Sequence, residues 1–291
     1  MSARTSITRA VQVAGMCGAM AIGASAFPAV AQAKTFVACN EGALSTAITN
    51  ANAASSATLS LAPGCVYDLT MRLPDVTGNI TINANGDLIT RDSAAPAFRI
   101  FTVSGQLTLK NATISNGNAA GESANFGGGI AVINSGSLVV ERSNIIHNRA
   151  DFSGGIGGLS NTTITVDRTT ITGNQVTQRG GGFIADGIGT ITNSRIIGNR
   201  AGNQGGGIAN QGQLTVRNSN INANLAGDGG GIVNLGGTAN LSRTNVNSNV
   251  ATDGVGAGGI LRTGGTVTLV SSRVRGNVPT NCAGTVPGCT G

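Results

Sequence analysis

Three observations predict an all-β fold, a parallel β-helix wound as a solenoid of coils of about 25 residues. An asparagine recurs at Asn118, Asn148, Asn174, Asn199, Asn224, Asn249 and Asn277, at intervals of 30, 26, 25, 25, 25 and 28 residues. Short apolar segments with period-two alternation repeat alongside it, and no helical spacing separates them. A glycine run stands before one bulky apolar residue in most coils, as in Gly205-Gly206-Gly207-Ile208.

The first 33 residues read as an export signal. Arg4 and Arg9 are basic, Val13 to Phe27 is apolar, and Pro28 to Ala33 ends in the A-x-A pattern of a cleavage site. Cleavage near Ala33 would start the chain at Lys34 and send it out of the cell. Cys17 lies inside the apolar stretch behind the bulky Met16, unlike the cysteine of a lipid-modified signal. No later stretch approaches the ~20 apolar residues that span a bilayer.

Residues 34–104 are expected to hold an N-terminal cap and irregular first coils. Asn40 is a candidate N-cap for a short helix with Leu44, Ala47, Ile48 and Ala51 on one face, suited to covering the first coil. Leu59 with Leu61, Ile80 with Ile82, and Phe98 to Val103 mark the early strands.

Residues 105–278 are expected to form regular coils of three strands. The first strand carries the pairs Leu107 and Leu109, Leu138 and Val140, Ile164 and Val166, Leu214 and Val216, Val267 and Leu269. The second carries Ile145, Ile171, Ile196, Ile221, Val246 and Val274, each preceded two residues earlier by Ser143, Thr169, Ser194, Ser219, Thr244 or Ser272, which places both columns on the inner face. The third follows the glycines with Ile130, Ile156, Phe183, Ile208, Ile232 and Ile260. Stacking turns each column into a ladder. The asparagines are expected to take a left-handed turn and stack their amides, with Asn148, Asn174, Asn199, Asn224, Asn249 and Asn277 as the structural ladder. Ala150, Ala201, Ala226 and Ala251, two residues on, fit a crowded corner. Residues 279–291 form a C-terminal cap with Pro279 and Pro287, and the whole makes one domain of nine or ten coils.

Cys39, Cys65, Cys282 and Cys289 remain after the signal, an even count that suits two disulfides in an exported protein. A solenoid holds its two ends about 40 Å apart, so Cys39 pairs with Cys65 and Cys282 with Cys289. Glycine at 46 of 291 residues does not recur every third position, which excludes collagen. Without Arg4 and Arg9 the basic count falls from 18 to 16 against 12 acids, a mild charge of +4. Trp is absent and Tyr occurs once, so the stacking aromatics of a nucleic-acid module are missing.

The repeated GGGI and I-x-x-N, with Ile171-Thr172-Gly173-Asn174 as one instance, resemble the GGA[ILV] and F-x-x-N repeats of polymorphic outer membrane proteins. More broadly the chain is similar to secreted right-handed β-helix proteins of the pectin-lyase-like superfamily, from ACNEGALSTAITNANA near the start to GNVPTNCAG near the end. The resemblance implies a right-handed, single-stranded β-helix. It departs from the surface proteins in having aliphatic residues in place of the phenylalanine and no C-terminal barrel segment.

Related β-helices cleave acidic polysaccharides with clustered aspartates on Ca²⁺ or with paired aspartates. Here no Asp-Asp pair, no Asn-x-Asp flanked by a second acid and no Gly-His-Gly occurs. The best candidates are Asp228 and Asp253, each four residues after its asparagine, with Asn203 in the same place one coil earlier. His147, the single histidine, has Asp151 four residues on and Ser153 nearby, the only hint of a triad. Arg142, Arg168 and Arg243 recur in one column as a candidate anion-binding face. Beside the aliphatic column, Thr170 with Thr172 is the single Thr-x-Thr, while Asn144 with Ile146, Arg195 with Ile197, Asn220 with Asn222 and Arg273 with Arg275 fill the other coils. That face lacks the threonine ladder of an ice binder and suits hydrogen bonding to glycans. The expected protein is a secreted, cofactor-free, monomeric surface, adhesive or structural protein with glycan binding; the alternative is a polysaccharide lyase or hydrolase.

Overall fold

The computed structural model describes residues 34–120, 125–254 and 256–290; residues 1–33, where the export signal is expected, lie outside them. The described chain is a parallel β-solenoid of about ten coils with one helix, Glu41–Ala53. Its strands stack into sheets of ten, nine, five and eight strands, and every pairing between coils is parallel. One coil shows the plan: Gln213–Arg217 in the ten-stranded sheet, Asn220–Asn222 in the nine-stranded, Leu225–Ala226 in the five-stranded and Ile232–Asn234 in the eight-stranded.

Three of these sheets hold the expected columns. Leu138, Val140, Ile164, Val166, Leu214 and Val216 are buried in the ten-stranded sheet, Ile145 to Val246 in the nine-stranded, and Ile130 to Ile260 in the eight-stranded. They make one continuous core along the solenoid. Two coils add pairs that the apolar pattern does not mark, Gly189 with Ile191 and Ala239 with Leu241. A Cβ on Gly189 would lie 2.9 Å from Ala185 Cβ and 3.1 Å from the Phe183 ring, so these two side chains fill the space that the glycine leaves.

The fourth sheet corrects the three-strand coil. Directly after the asparagine a short strand forms, Arg149–Phe152, Gln175–Arg179, Arg200–Ala201, Leu225–Ala226 and Val250–Ala251. Ala150, Ala201 and Ala226 do not sit in a bare corner: with Ala119 and Val176 they form a separate buried cluster. A strand of two residues has no periodicity to read.

The asparagine ladder is present, with a different division of labour from the expected one. Positive φ falls on the residue before each asparagine, at His147, Gly173, Gly198, Ala223, Ser248 and Gly276, and not on the asparagine. The asparagine side chain therefore points inward and bonds in three directions. Asn174 Nδ2 donates to Asn199 Oδ1 (2.9 Å) and to Ile145 O of the preceding coil (2.9 Å), and Asn199 Oδ1 also accepts the Asn174 backbone N–H (3.0 Å). The pattern repeats from Asn148 to Asn277, which closes on Asn281 Oδ1 (3.1 Å). Asn118 is not a member. Ile114 pairs with Ile145, so Gly117 occupies the column and its N–H donates to Asn148 Oδ1 (2.9 Å). Asn118 pairs instead with Arg149, because its coil is one residue longer than the asparagine interval suggests.

The buried Ser and Thr column makes a second ladder, in which Ser143, Thr169 and Ser194 each receive on the backbone N–H the hydroxyl oxygen of the next coil as acceptor, at 3.1–3.2 Å. The glycine run is explained at Gly205-Gly206-Gly207. Gly205 has φ +66°, and a Cβ on Gly206 or Gly207 would lie 2.6 Å from the carbonyl oxygen of Gly230 or Gly231 in the next coil.

Both ends are closed as expected. Asn40 caps the helix, its Oδ1 accepting the Ala43 N–H at 2.8 Å, and Leu44, Ala47, Ile48 and Ala51 are the helix residues that are buried. Cys39 is bonded to Cys65 and Cys282 to Cys289, with Cα separations of 5.6 and 6.3 Å.

Candidate functional site

A concavity follows the turn between the nine- and five-stranded sheets. It has two adjoining parts of about 350 and 310 Å³, and Asn118, Arg149 and Gln175 line both. Each of these three stands where the ladder forces it. The ladder asparagine turns inward, so the next residue of the strand, Arg149 after Asn148 and Gln175 after Asn174, must point out. Arg91 forms the far wall and is fixed by three carbonyls: Nε donates to Asn116 O (3.0 Å), and Nη1 to Asp92 O (2.8 Å) and Ala95 O (2.7 Å). Arg149 is exposed and has no acidic partner among the described residues. The groove thus offers one guanidinium anchored by carbonyls and one exposed, with the side-chain amides of Asn118 and Gln175 also lining it.

His147 lines this groove, exposed, in the left-handed turn before Asn148. A Cβ on Gly173 would lie 2.6 Å from its Cδ2, so glycine in the next coil makes room for the imidazole. The triad does not assemble. Asp151 is held by Asn125 Nδ2 (2.8 Å) and Thr177 Oγ1 (2.6 Å), and the Ser153 hydroxyl is buried in the glycine corner without a hydrogen-bond partner.

Asp228 and Asp253 come from neighbouring coils. Asp228 pairs across the coil with Gln204, not with Asn203, since the coil between Ile208 and Ile232 is one residue shorter than its neighbour on the N-terminal side. Asp228 Oδ1 is buried against Gly256 without a hydrogen-bond partner, whereas Asp253 is exposed with Oδ2 against Gly227. No group of three His, Cys, Asp or Glu suited to a metal occurs among the described residues.

The arginine column is also laid out in the turns. Arg142, Arg168 and Arg243 take positive φ, sharing their place with Asn193 and Asn218. All but Arg142 are tied into a surface network: Arg168 to Asp167, Asn193 Nδ2 to Asp167 Oδ1 (2.8 Å), Asn218 Nδ2 to Asn193 Oδ1 (3.3 Å) and Arg243 Nε to Asn218 Oδ1 (2.7 Å). Burial pushes the Asp167 carboxyl up, but hydrogen bonds from Asn193 and Thr192 and the charges of Arg168 and Arg142 outweigh it and hold it below its ordinary value. Asp186, beside Arg179, is pushed up by burial.

The outer face of the nine-stranded sheet carries Asn220, Asn222, Asn245, Asn247, Arg273 and Arg275 in register, with Asn245 Nδ2 donating to Asn220 Oδ1 at 3.1 Å. Asn222 Oδ1 and Asn247 Oδ1 have no partner. Arg91, Arg149 and Gln175 were not singled out by motif; the signal that could have found the last two is their fixed place one residue after a ladder asparagine.

Residues 97–274, more than half of the chain, match the family described as right handed beta helix region. No curated protein and no solved structure matches the chain.

Proposed function

The chain belongs to the right-handed β-helix family, and from that premise we propose that it is a secreted, monomeric, non-catalytic surface protein that binds polysaccharide. The observation that carries the reading is the groove lined by Arg91, Asn118, Arg149 and Gln175. Its walls supply guanidinium and amide donors at the spacing of the coils, which suits the carboxylate and hydroxyl groups of an acidic glycan. The ladder behind them fixes the backbone positions of Arg149 and Gln175, so the groove is shaped before a ligand arrives.

Electrophoresis through gels that contain soluble polygalacturonate tests it. The protein should be retarded, less so in high salt, and Arg149→Ala combined with Gln175→Ala should restore most of its mobility. Equal retardation of the variant would remove the groove from the reading, and unhindered migration of the native protein would remove the ligand class.

The buried, unpartnered Asp228 Oδ1 favours one second reading, a lyase or hydrolase acting on the same polymers. New reducing or unsaturated ends, lost in Asp228→Ala or Asp253→Ala, would establish it.

A further inference from the structure

The outer face of the ten-stranded sheet carries a feature separate from the groove. The middle residues of successive strands align as Thr58, Thr81, Thr108, Val139, Thr165, Thr190, Thr215, Asn240 and Thr268. Seven of these nine aligned positions are threonine, and the register between them runs without a bulge. Strand preference alone does not explain this. The nine-stranded sheet has the same backbone, yet its outward column reads Thr113, Asn144, Thr170, Arg195, Asn220, Asn245 and Arg273.

The hydroxyls of the column are not used by the fold. Buried Ser143, Thr169 and Ser194 bond to neighbouring coils, whereas none of the seven outer threonines makes a side-chain hydrogen bond within the described residues. The adjacent outward column, Ser56, Asn79, Gln106, Ser137, Thr163, Ile188, Gln213, Thr238 and Thr266, carries no charge. The charged residues Lys110, Glu141, Asp167 and Arg217 stand at the far edge of the strands.

Threonine is stiff at χ1, so a column of it repeats one hydroxyl and one methyl at the ~4.8 Å strand spacing with little rotamer freedom. Such an array offers single, evenly spaced hydroxyls between methyl groups. A sugar-binding surface would need planar amide or acid groups and aromatic platforms, and the column has one asparagine and no aromatic residue. The partner it fits is a lattice that repeats, carries no charge and both donates and accepts hydrogen bonds at each point. We infer that this face, centred on Thr165, Thr190 and Thr215, binds the ordered water of an ice surface.

Partition into a slowly growing ice front tests the inference, with the labelled protein, the double variant Thr165→Lys/Thr190→Lys, and Thr46→Lys on the exposed side of the capping helix as control. Circular dichroism and thermal unfolding check that each variant is folded. Thr190→Val, which keeps the β-branch and removes the hydroxyl, gives a second reading in case the double variant is unstable. The native protein and the control should enter the ice, and the double variant should fall to the level of a non-binding protein, with Thr190→Val between them. Exclusion of the native protein from ice, or equal uptake of the column variants, overturns the inference. Retention on crystalline cellulose that is lost in Thr165→Lys/Thr190→Lys, together with exclusion from ice, would assign the face to a polymer instead. Neither result depends on Arg149 or Gln175, so the groove and this face fail separately.

Discussion

The two ends of the solenoid face the same problem, an exposed core and unpaired strand edges, and meet it by different means. The N-terminal end has an apolar lid. Leu44, Ala47, Ile48 and Ala51 of the helix lie buried on the first coils, and the Glu41 carboxylate ties the helix to the chain below by accepting from Thr70 N (3.0 Å), Thr70 Oγ1 (2.8 Å) and Met71 N (2.8 Å). Asn52 does the same at the other end of the helix, accepting from Thr77 N (2.9 Å) and donating to Asp75 O (2.7 Å). The C-terminal end has no helix among the described residues. Leu269 and Val274 of the last coil are only partly buried, and the cover is Val286 inside the loop closed by Cys282 and Cys289. A lid with its own apolar face protects a core by burial, whereas a short loop protects it by staying in place.

Removing each disulfide is the strongest way to separate the ends. The Cys39–Cys65 bond spans 26 residues and the Cys282–Cys289 bond only 7, so the loop-entropy relation gives losses of about 3.5 and about 2.4 kcal/mol for the two Ser/Ser variants. Chemical denaturation checks the order. A larger loss at the C-terminal end would mean that the loop bond holds Val286 on the core and does more than restrict the unfolded chain.

Truncating the cover itself comes next. Leu44 is fully buried, and Leu44→Ala should cost about 3 kcal/mol. Val286→Ala removes less apolar surface at a residue 7% exposed and should cost about 1.5 kcal/mol. Equal losses in denaturation would break the contrast between lid and loop.

The smallest effect is a pH dependence confined to the N-terminal end. Burial pushes the Glu41 carboxyl up, but hydrogen bonds from Met71 and Thr70 prevail and hold it below its ordinary value. A lowered carboxyl contributes stability that is present above its ordinary pKa and lost as pH falls through the lowered one. The protection factors of the helix amides, observed exchange taken against the intrinsic rate at each pH, should therefore fall in acid in the native protein, and Glu41→Gln should flatten that response while leaving protection in the last coil unchanged.

Much of this was legible in the residues. The inner columns, the helix with its Asn40 cap and the cysteine pairing all follow from spacing, because each is a local pattern repeated at the length of a coil. The candidate site was legible only in part. His147 and Arg149 line the groove from one coil, but Arg91 and Gln175 come from others, and Asp228 meets Gln204 only because one coil is a residue shorter. The threonine column stood in the sequence between the members of each apolar pair, as Thr108 between Leu107 and Leu109, yet its length needed the coils of Gly189 and Ala239, where the apolar pair is broken by a small residue.

The sequence by itself determined the coil, its inner and outer faces and the closing of both ends, since alternation, caps and cysteine count are properties of short segments. The tertiary structure alone decided register. Which residue takes the left-handed turn, that Gly117 and not Asn118 begins the ladder, and which side chains from different coils share a groove all depend on coils of unequal length being aligned by their hydrogen bonds. A shift of one residue turns every side chain to the opposite face, and no single coil contains the information that prevents it.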